Sequence, residues 1–232
     1  MKILAIDTAL PAVSACVLES GATEPLAAET LAMERGHAEA LLPLIDRVVS
    51  RVEGGFAALD RIAVTVGPGS FTGIRVGIAA ARGIALATGV PVVGVSTLAA
   101  LAAPLILEST GGVVAAAVDA RHDNVYIAAF VSGGRVLVAP RVAAYREAVR
   151  MLGAGPIRAA GSGAPMLAVE AWTMGASIDA VGDFISPEIA FVARLGLLAD
   201  PATAPARPLY IKPPDARPQT AARIARAPTP QA

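Results

Sequence analysis

Asp7 closes a short apolar run at residues 2–6 and is followed by Thr8, Ala9, Leu10 and Pro11. A carboxylate in that place can coordinate magnesium or cap the following turn, and the residue types leave both readings open. A second candidate is the turn at residues 67–73, Gly-Pro-Gly-Ser-Phe-Thr-Gly, between a strand-like and a helix-like segment. Free backbone N–H groups at a helix start can hold an anion, which would make Asp7, Thr8, Gly69 and Ser70 phosphate or nucleotide contacts. This is not a P-loop, because the Gly-x-x-x-x-Gly-Lys-Ser/Thr spacing is missing and no lysine lies between Lys2 and Lys212. Metal and nucleophile chemistry have little material. His37 has no second histidine three or four residues away, and His122 shares a turn with Asp119 and Asp123. Cys16, the single cysteine, falls in a strand-like run where a small buried thiol is expected. Neither His-Glu-x-x-His nor Gly-x-Ser-x-Gly occurs, so no metal site and no peptidase chemistry are expected.

The elements that must position these residues follow from periodicity. Residues 2–6, 12–18 and 26–32 read as three strands. From His37 the pattern changes: Ala38, Leu41, Leu42, Ile45, Val48, Val49 and Val52 recur at helical spacing, with Pro43 predicting a kink. Residues 61–66 form a buried strand, 74–88 a helix, 90–95 a strand, and Ser96 or Thr97 caps a helix to about residue 103. After Gly111 and Gly112 a smaller, looser set follows: strands at 113–118, 125–131 and 157–160, and helices at 145–152 and 187–198. No sequence repeat proves duplication.

The helix at 74–88 is the most informative element. Gly73, Gly77 and Ala81 lie four apart and expose backbone along one stripe, while Arg75 and Arg82 lie on a different face. A helix apolar nearly all round is buried on more than one side, which leaves core and interface equally open.

Composition bounds the rest. With 55% hydrophobic and 16% charged residues the chain can bury a real core, and 19 Lys+Arg against 19 Asp+Glu give no global footprint for a phosphate backbone. The balance hides an asymmetry: residues 201–232 carry five cations and one acid, with eight prolines, so that stretch should run extended over the surface and end in disorder. Its arginines read as a solvated tail or an RNA-contacting arm. No charge lies between Arg82 and Glu108, yet Gly89, Pro91, Gly94 and Pro104 break that run, so it reads as helix, buried strand and helix rather than a span. Asp7 interrupts the amino-terminal apolar run before it reaches signal-peptide length, and a reducing cytoplasmic compartment is expected.

Residues 3–9, 36–46 and 67–77 together resemble the TsaB family, formerly called YeaZ, and residues 94–98, 119–121 with 125–126, and 208–216 extend the likeness almost to the end of the chain. The resemblance implies an α/β fold of two RNase H-like subdomains of the actin-like/sugar-kinase/heat-shock-ATPase (ASKHA) superfamily. These would span residues 1–103 and 106–200, with 201–232 as an extended tail. It implies a subunit without catalytic residues, cofactor or metal. Such a subunit pairs with its paralogue TsaD and with the ATPase TsaE to make N6-threonylcarbamoyladenosine in tRNAs that read codons beginning with A. tRNA is then an indirect partner, and the chain self-associates when TsaD is absent. It places the interface on the first two helices, through His37, Leu41, Leu44, Ile45, Gly73, Arg75, Gly77, Ile78, Ala81 and Arg82. The peptidase M22 label carried by similar sequences conflicts with the missing ligands. The rival is a small-molecule kinase or ATPase of the same fold, which would need a phosphate-binding hairpin after the first aspartate; Thr8-Ala9-Leu10-Pro11 lacks the glycine or basic residue expected there.

Overall fold

Strict alternation along the first strand gives it two buried faces. Leu4 and Ile6 point to one side and Ile3 and Ala5 to the other, all fully buried. In a computed structural model describing residues 1–109, 111–182 and 186–212, this strand, β1 (Lys2–Asp7), pairs antiparallel with β2 (Ala12–Glu19), which pairs with β3 (Ala27–Ala32). β4 (Arg61–Gly67) and β5 (Val92–Ser96) then add in parallel, giving the order β3-β2-β1-β4-β5. Parallel strands need crossovers. These are α1 (His37–Val49) before β4 and α2 (Phe71–Thr88) before β5, and α3 (Thr97–Glu108) follows β5. The buried side of α1, Leu41, Leu44, Ile45 and Val48, packs on the Leu4, Ile6 and Val64 face of the sheet. Each such side chain contributes about 1.5–3 kcal/mol on burial.

The same design recurs. β6 (Val113–Asp119), β7 (Asn124–Val131) and β8 (Arg135–Ala144) form an antiparallel meander, and β9 (Ile157–Ala160) and β10 (Asp179–Ala180) add in parallel in the order β10-β9-β6-β7-β8. α4 (Tyr145–Leu152), α5 (Ala164–Thr173) and α6 (Ile189–Leu198) occupy the places of α1, α2 and α3. The second half is therefore a full copy in strand order, where the sequence reading found a partial one. β8 escaped because it is an edge strand with mostly exposed side chains and Pro140 within it. α5 escaped because its Ala-rich run carries little amphipathic signal. Other bounds move for local reasons. α1 runs through Pro43 without interruption, α3 runs through Pro104 to Glu108, and α2 begins at Phe71 because the Ser70 hydroxyl accepts from the Gly73 N–H at 3.2 Å as an N-cap.

The two halves exchange their last helices. α3 packs on β6, β7 and β9 of the second sheet, with Leu98, Leu101 and Leu105 joining Val114, Ala116 and Val118. α6 packs on β1, β2, β4 and β5 of the first, with Ile189, Val192 and Ala193 against Ile3, Ala5, Cys16, Leu18 and Ala63. Within residues 106–200, expected as the second subdomain, the last helix α6 covers the other sheet's open face. The contact is close because Gly196 lacks a side chain; a Cβ there would overlap that of Ala63 and meet Ile3 Cδ1 at 2.9 Å. Arg61 then closes the helix end, its Nη1 donating to the carbonyls of Gly196 (3.0 Å), Leu197 (3.2 Å) and Ala199 (2.9 Å). The chain continues as a strap: Gly94 N–H donates to Ala204 O (2.9 Å), Val93 bridges Pro205, and Leu209 N–H donates to Val66 O (2.8 Å). The expectation that the tail ends in disorder lies outside the described residues.

Replacing Arg61 with Met keeps its apolar stem and removes the guanidinium. We expect Arg61→Met to cost about 2 kcal/mol, as for hydrogen bonds to a charged group. Urea unfolding will measure this, and hydrogen exchange should quicken first at the α6 amides; an unchanged midpoint would show the clamp to be idle.

Candidate functional site

The turn after β1 and the turn before α2 close on each other. Asp7 and Thr8 are fully buried. Asp7 Oδ1 accepts from the Thr65 hydroxyl at 2.5 Å and from the Ala9 N–H at 3.1 Å, while Oδ2 has no partner among the described residues. Burial pushes the Asp7 pKa up, and the Thr65 and Ala9 hydrogen bonds and the neighbouring His37 pull against it. Thr8 Oγ1 donates to Gly73 O at 2.7 Å, and Ser70 N–H donates to Ala9 O at 2.7 Å. A Cβ at Gly69 would overlap Ala9 O, and one at Gly73 would overlap Thr8 O. Of the four residues expected to contact phosphate, Asp7, Thr8 and Ser70 spend polar groups on Thr65, Ala9 and Gly73, and Gly69 packs its backbone on Ala9. Asp7 and Thr8 reach no solvent, and the Ser70 N–H and Gly73 N–H are engaged within the chain.

The same closure explains the small-residue stripe on α2. Gly73, Gly77, Ile78 and Ala81 are buried against the chain's own first sheet, and a Cβ at Gly77 would overlap Thr8 Oγ1 and touch Val64 Cγ2 at 3.4 Å. Leu41, Leu44 and Ile45 of α1 are equally buried. These seven residues, expected at a partner interface, instead build the core, since close approach is needed inside the chain. His37 is half-buried, with Nε2 3.1 Å from Leu10 O. Arg75 and Arg82 do face outward.

Outside, α2 remains apolar. It is long and apolar enough to cross a membrane, yet only 28% of it is buried, because one side packs on the sheet and the other is open. Ala79, Gly83 and Leu86 are exposed, Leu86 by 89%, with Val76 and Ala80 half-buried beside them. Space around Gly83 is open, with nothing within 4 Å of where a Cβ would sit. On α1, Leu42 is 57% exposed. At the far end an apolar groove of about 650 Å³ lies between Phe56 and Leu59 on one side and Ile84 and Ala87 on the other. At the near end Phe71 and Tyr210 stack with centroids 5.8 Å apart, and the Arg75 guanidinium lies 3.6 Å above the Phe71 ring. Sequence reasoning missed Gly83, Leu86, Phe71 and Tyr210. Helical spacing could have supplied the first two, and Tyr210 sits in the carboxyl-terminal segment that carries the family likeness.

Other reactive residues stand apart. Cys16 is buried, its thiol pushed up to about 12 chiefly by burial and donating to Ile189 O at 3.6 Å. In the equivalent turn of the second half, Asp119 Oδ1 accepts from the Arg121 N–H at 3.0 Å, and Arg121, His122 and Asp123 all take positive φ. Groups of three or more His, Cys, Asp and Glu suited to a metal are absent among the described residues.

Two substitutions test this closure. Gly77→Ala forces a Cβ into Thr8 and should cost about 1–3 kcal/mol in urea unfolding. Asp7→Asn tests the buried carboxyl through pH. A folded-state pKa raised above 3.8 means the native chain holds that proton more tightly than the unfolded chain. Its contribution to stability is present below that value and is lost as pH rises through the native pKa. The stability of Asp7→Asn relative to the parent should therefore improve as pH climbs from the ordinary carboxylate range; a gap independent of pH would refute it.

Comparison with known proteins places this architecture. The model of the family "TsaD: tRNA N6-adenosine threonylcarbamoyltransferase" matches residues 30–179. The Escherichia coli tRNA threonylcarbamoyladenosine biosynthesis protein TsaB is 36% identical over 130 residues, covering 56% of this chain and 55% of that one. The chain thus spans about half the length of the curated TsaB relatives it matches. An uncharacterized protein of Mycobacterium tuberculosis H37Rv is 34% identical across 93% of this chain and 94% of its own. The solved structure of YeaZ from Pseudomonas aeruginosa superimposes with a TM-score of 0.70 at 28% identity, covering 90% of this chain and 99% of that one. With two halves of the same five-stranded mixed topology, and with sequence and structural likeness running together, the chain belongs to the TsaB/YeaZ family.

Proposed function

We propose that this chain is a catalytically silent pairing subunit for a TsaD-type transferase in the synthesis of N6-threonylcarbamoyladenosine in tRNAs that read codons beginning with A. It works beside the ATPase TsaE, and a second copy of the chain takes the same face when TsaD is absent. The family relatives named for this pathway support the role. The observation that carries the pairing is the outer side of α2, an 18-residue helix whose exposed Ala79, Gly83 and Leu86 leave an apolar, small-residue surface open to solvent. A partner helix can approach closely at Gly83, where no side chain intervenes. The interface is then the side of α2 facing away from the Gly73, Gly77 and Ala81 stripe. The rival kinase reading is opposed by the engaged turn of Thr8 and Ala9, which fills the place where a phosphate hairpin would open.

Gly83→Gln separates pairing from folding. The side chain has room inside the chain, and replacing a mid-helix glycine should leave stability equal or raise it by up to about 1 kcal/mol. Against a TsaD-type partner it should weaken association by about tenfold or more through overpacking, and tRNA modification by the reconstituted complex should fall with it. Unchanged affinity in calorimetry would remove α2 from the interface.

A further inference from the structure

The sequence of α2 contains no carboxylate, and its charges are Arg75 and Arg82, seven residues apart. Two helical turns separate them by about 10 Å along the axis. Among the described residues neither arginine belongs to an ion pair. Both are nevertheless held, and by the same segment. Arg82 Nη2 donates to Ala206 O at 2.7 Å, and Arg75 Nε donates to the Tyr210 hydroxyl at 2.9 Å. The Arg75 guanidinium also lies over the rings of Phe71 (3.6 Å) and Tyr210 (5.8 Å), which fixes its plane. The strap is itself anchored by backbone bonds from Gly94 to Ala204 and from Leu209 to Val66, and by the bridge of Pro205 with Val93. Its path along β5 is enforced, since a Cβ at Gly94 would lie 2.7 Å from Pro205 O.

We propose that the strap at residues 204–210 is a positioning element of the pairing face: it holds Arg75 and Arg82 so that both meet carboxylates on the partner protein. This rests on the pairing reading given above and extends it. A guanidinium offers five N–H donors, and the strap takes one from each arginine, leaving donors for a partner. Pre-ordered cations lose less freedom on binding than mobile ones, and beside the apolar Ala79, Gly83 and Leu86 surface they are less screened. The occupant therefore presents a helix that is apolar and small along its contact line, with two acids about two turns apart. A nucleic-acid occupant fits less well: the first 200 residues hold more acids than bases, no lysine lies between Lys2 and Lys212, and the two arginines flank an apolar strip.

The test titrates the full chain against its TsaD-type partner by calorimetry at low and high salt, with urea midpoints as a folding control. Arg75→Gln and Arg82→Gln should each weaken binding about tenfold, and the double variant should flatten the salt dependence. Tyr210→Ala should weaken it about fivefold in the parent and add nothing once Arg75 is Gln, the coupling expected of a positioning residue and not of a general structural one. Tyr210→Phe, which keeps the ring stack and loses only the hydroxyl, should fall between the parent and Tyr210→Ala. If the double arginine variant binds with unchanged affinity and salt dependence while Gly83→Gln still blocks pairing, the strap proposal is wrong and the pairing reading survives. If Gly83→Gln also binds as the parent does, both are wrong. Loss of tRNA binding by the complex at full partner affinity would overturn the strap proposal in favour of a nucleic-acid contact.

Discussion

Backbone meets backbone where the end of β1 faces the start of α2, and much of the first half is arranged around that contact. Thr8 and Ala9 lie so close to Gly69, Gly73 and Gly77 that none of the three can carry a Cβ without displacing them. The contact draws Asp7 out of water, lets Thr65 and Ala9 satisfy one of its oxygens, and spends the Thr8 hydroxyl on Gly73 O. The turn thereby commits its Ser70 and Gly73 N–H groups to neighbours within the chain. A glycine-rich turn at a helix start can thus arise from packing demand alone, without an anion to bind.

The second constraint is the reciprocal exchange of α3 and α6 between the sheets. Each sheet has two apolar faces, and two crossover helices cover only one of them. The remaining face is covered by the last helix of the other half, so neither half completes its core alone. Arg61 and Gly196 show how tightly this is held, one by hydrogen bonds to the helix end and the other by the absence of a side chain. The strap follows directly from α6 and runs along β5 to reach α2, so the arrangement of α6 also sets where Ala206 and Tyr210 fall.

α2 connects both themes. Its inner side is dictated by the closed turn, and its outer side, free of that demand, keeps Ala, Gly and Leu where a solvent-facing helix would normally carry charge. The two cations it does carry are held in place by a segment more than 120 residues away in sequence. A surface built this way combines apolar area with ordered charge, the combination that protein interfaces use for affinity and for register.

By itself the sequence determined the elements whose periodicity is strong and local: β1, β2, β4, the amphipathic α1 and the glycine turn. Of the segments that carry the family likeness, residues 3–9, 36–46 and 67–77 lie in or beside these elements. Tertiary structure alone decided which side of α2 is the inside. Gly73, Gly77 and Ala81 specify close approach, but spacing along a helix does not say whether the approaching backbone belongs to the same chain. The position of Thr8, brought there by sheet pairing with β4, settles it. Pairing also decided that α6 belongs to the other sheet, that β8 is a strand despite its exposed side chains, and that Arg75 and Tyr210 meet. Each of these depends on contacts between residues distant in sequence, which no local pattern encodes.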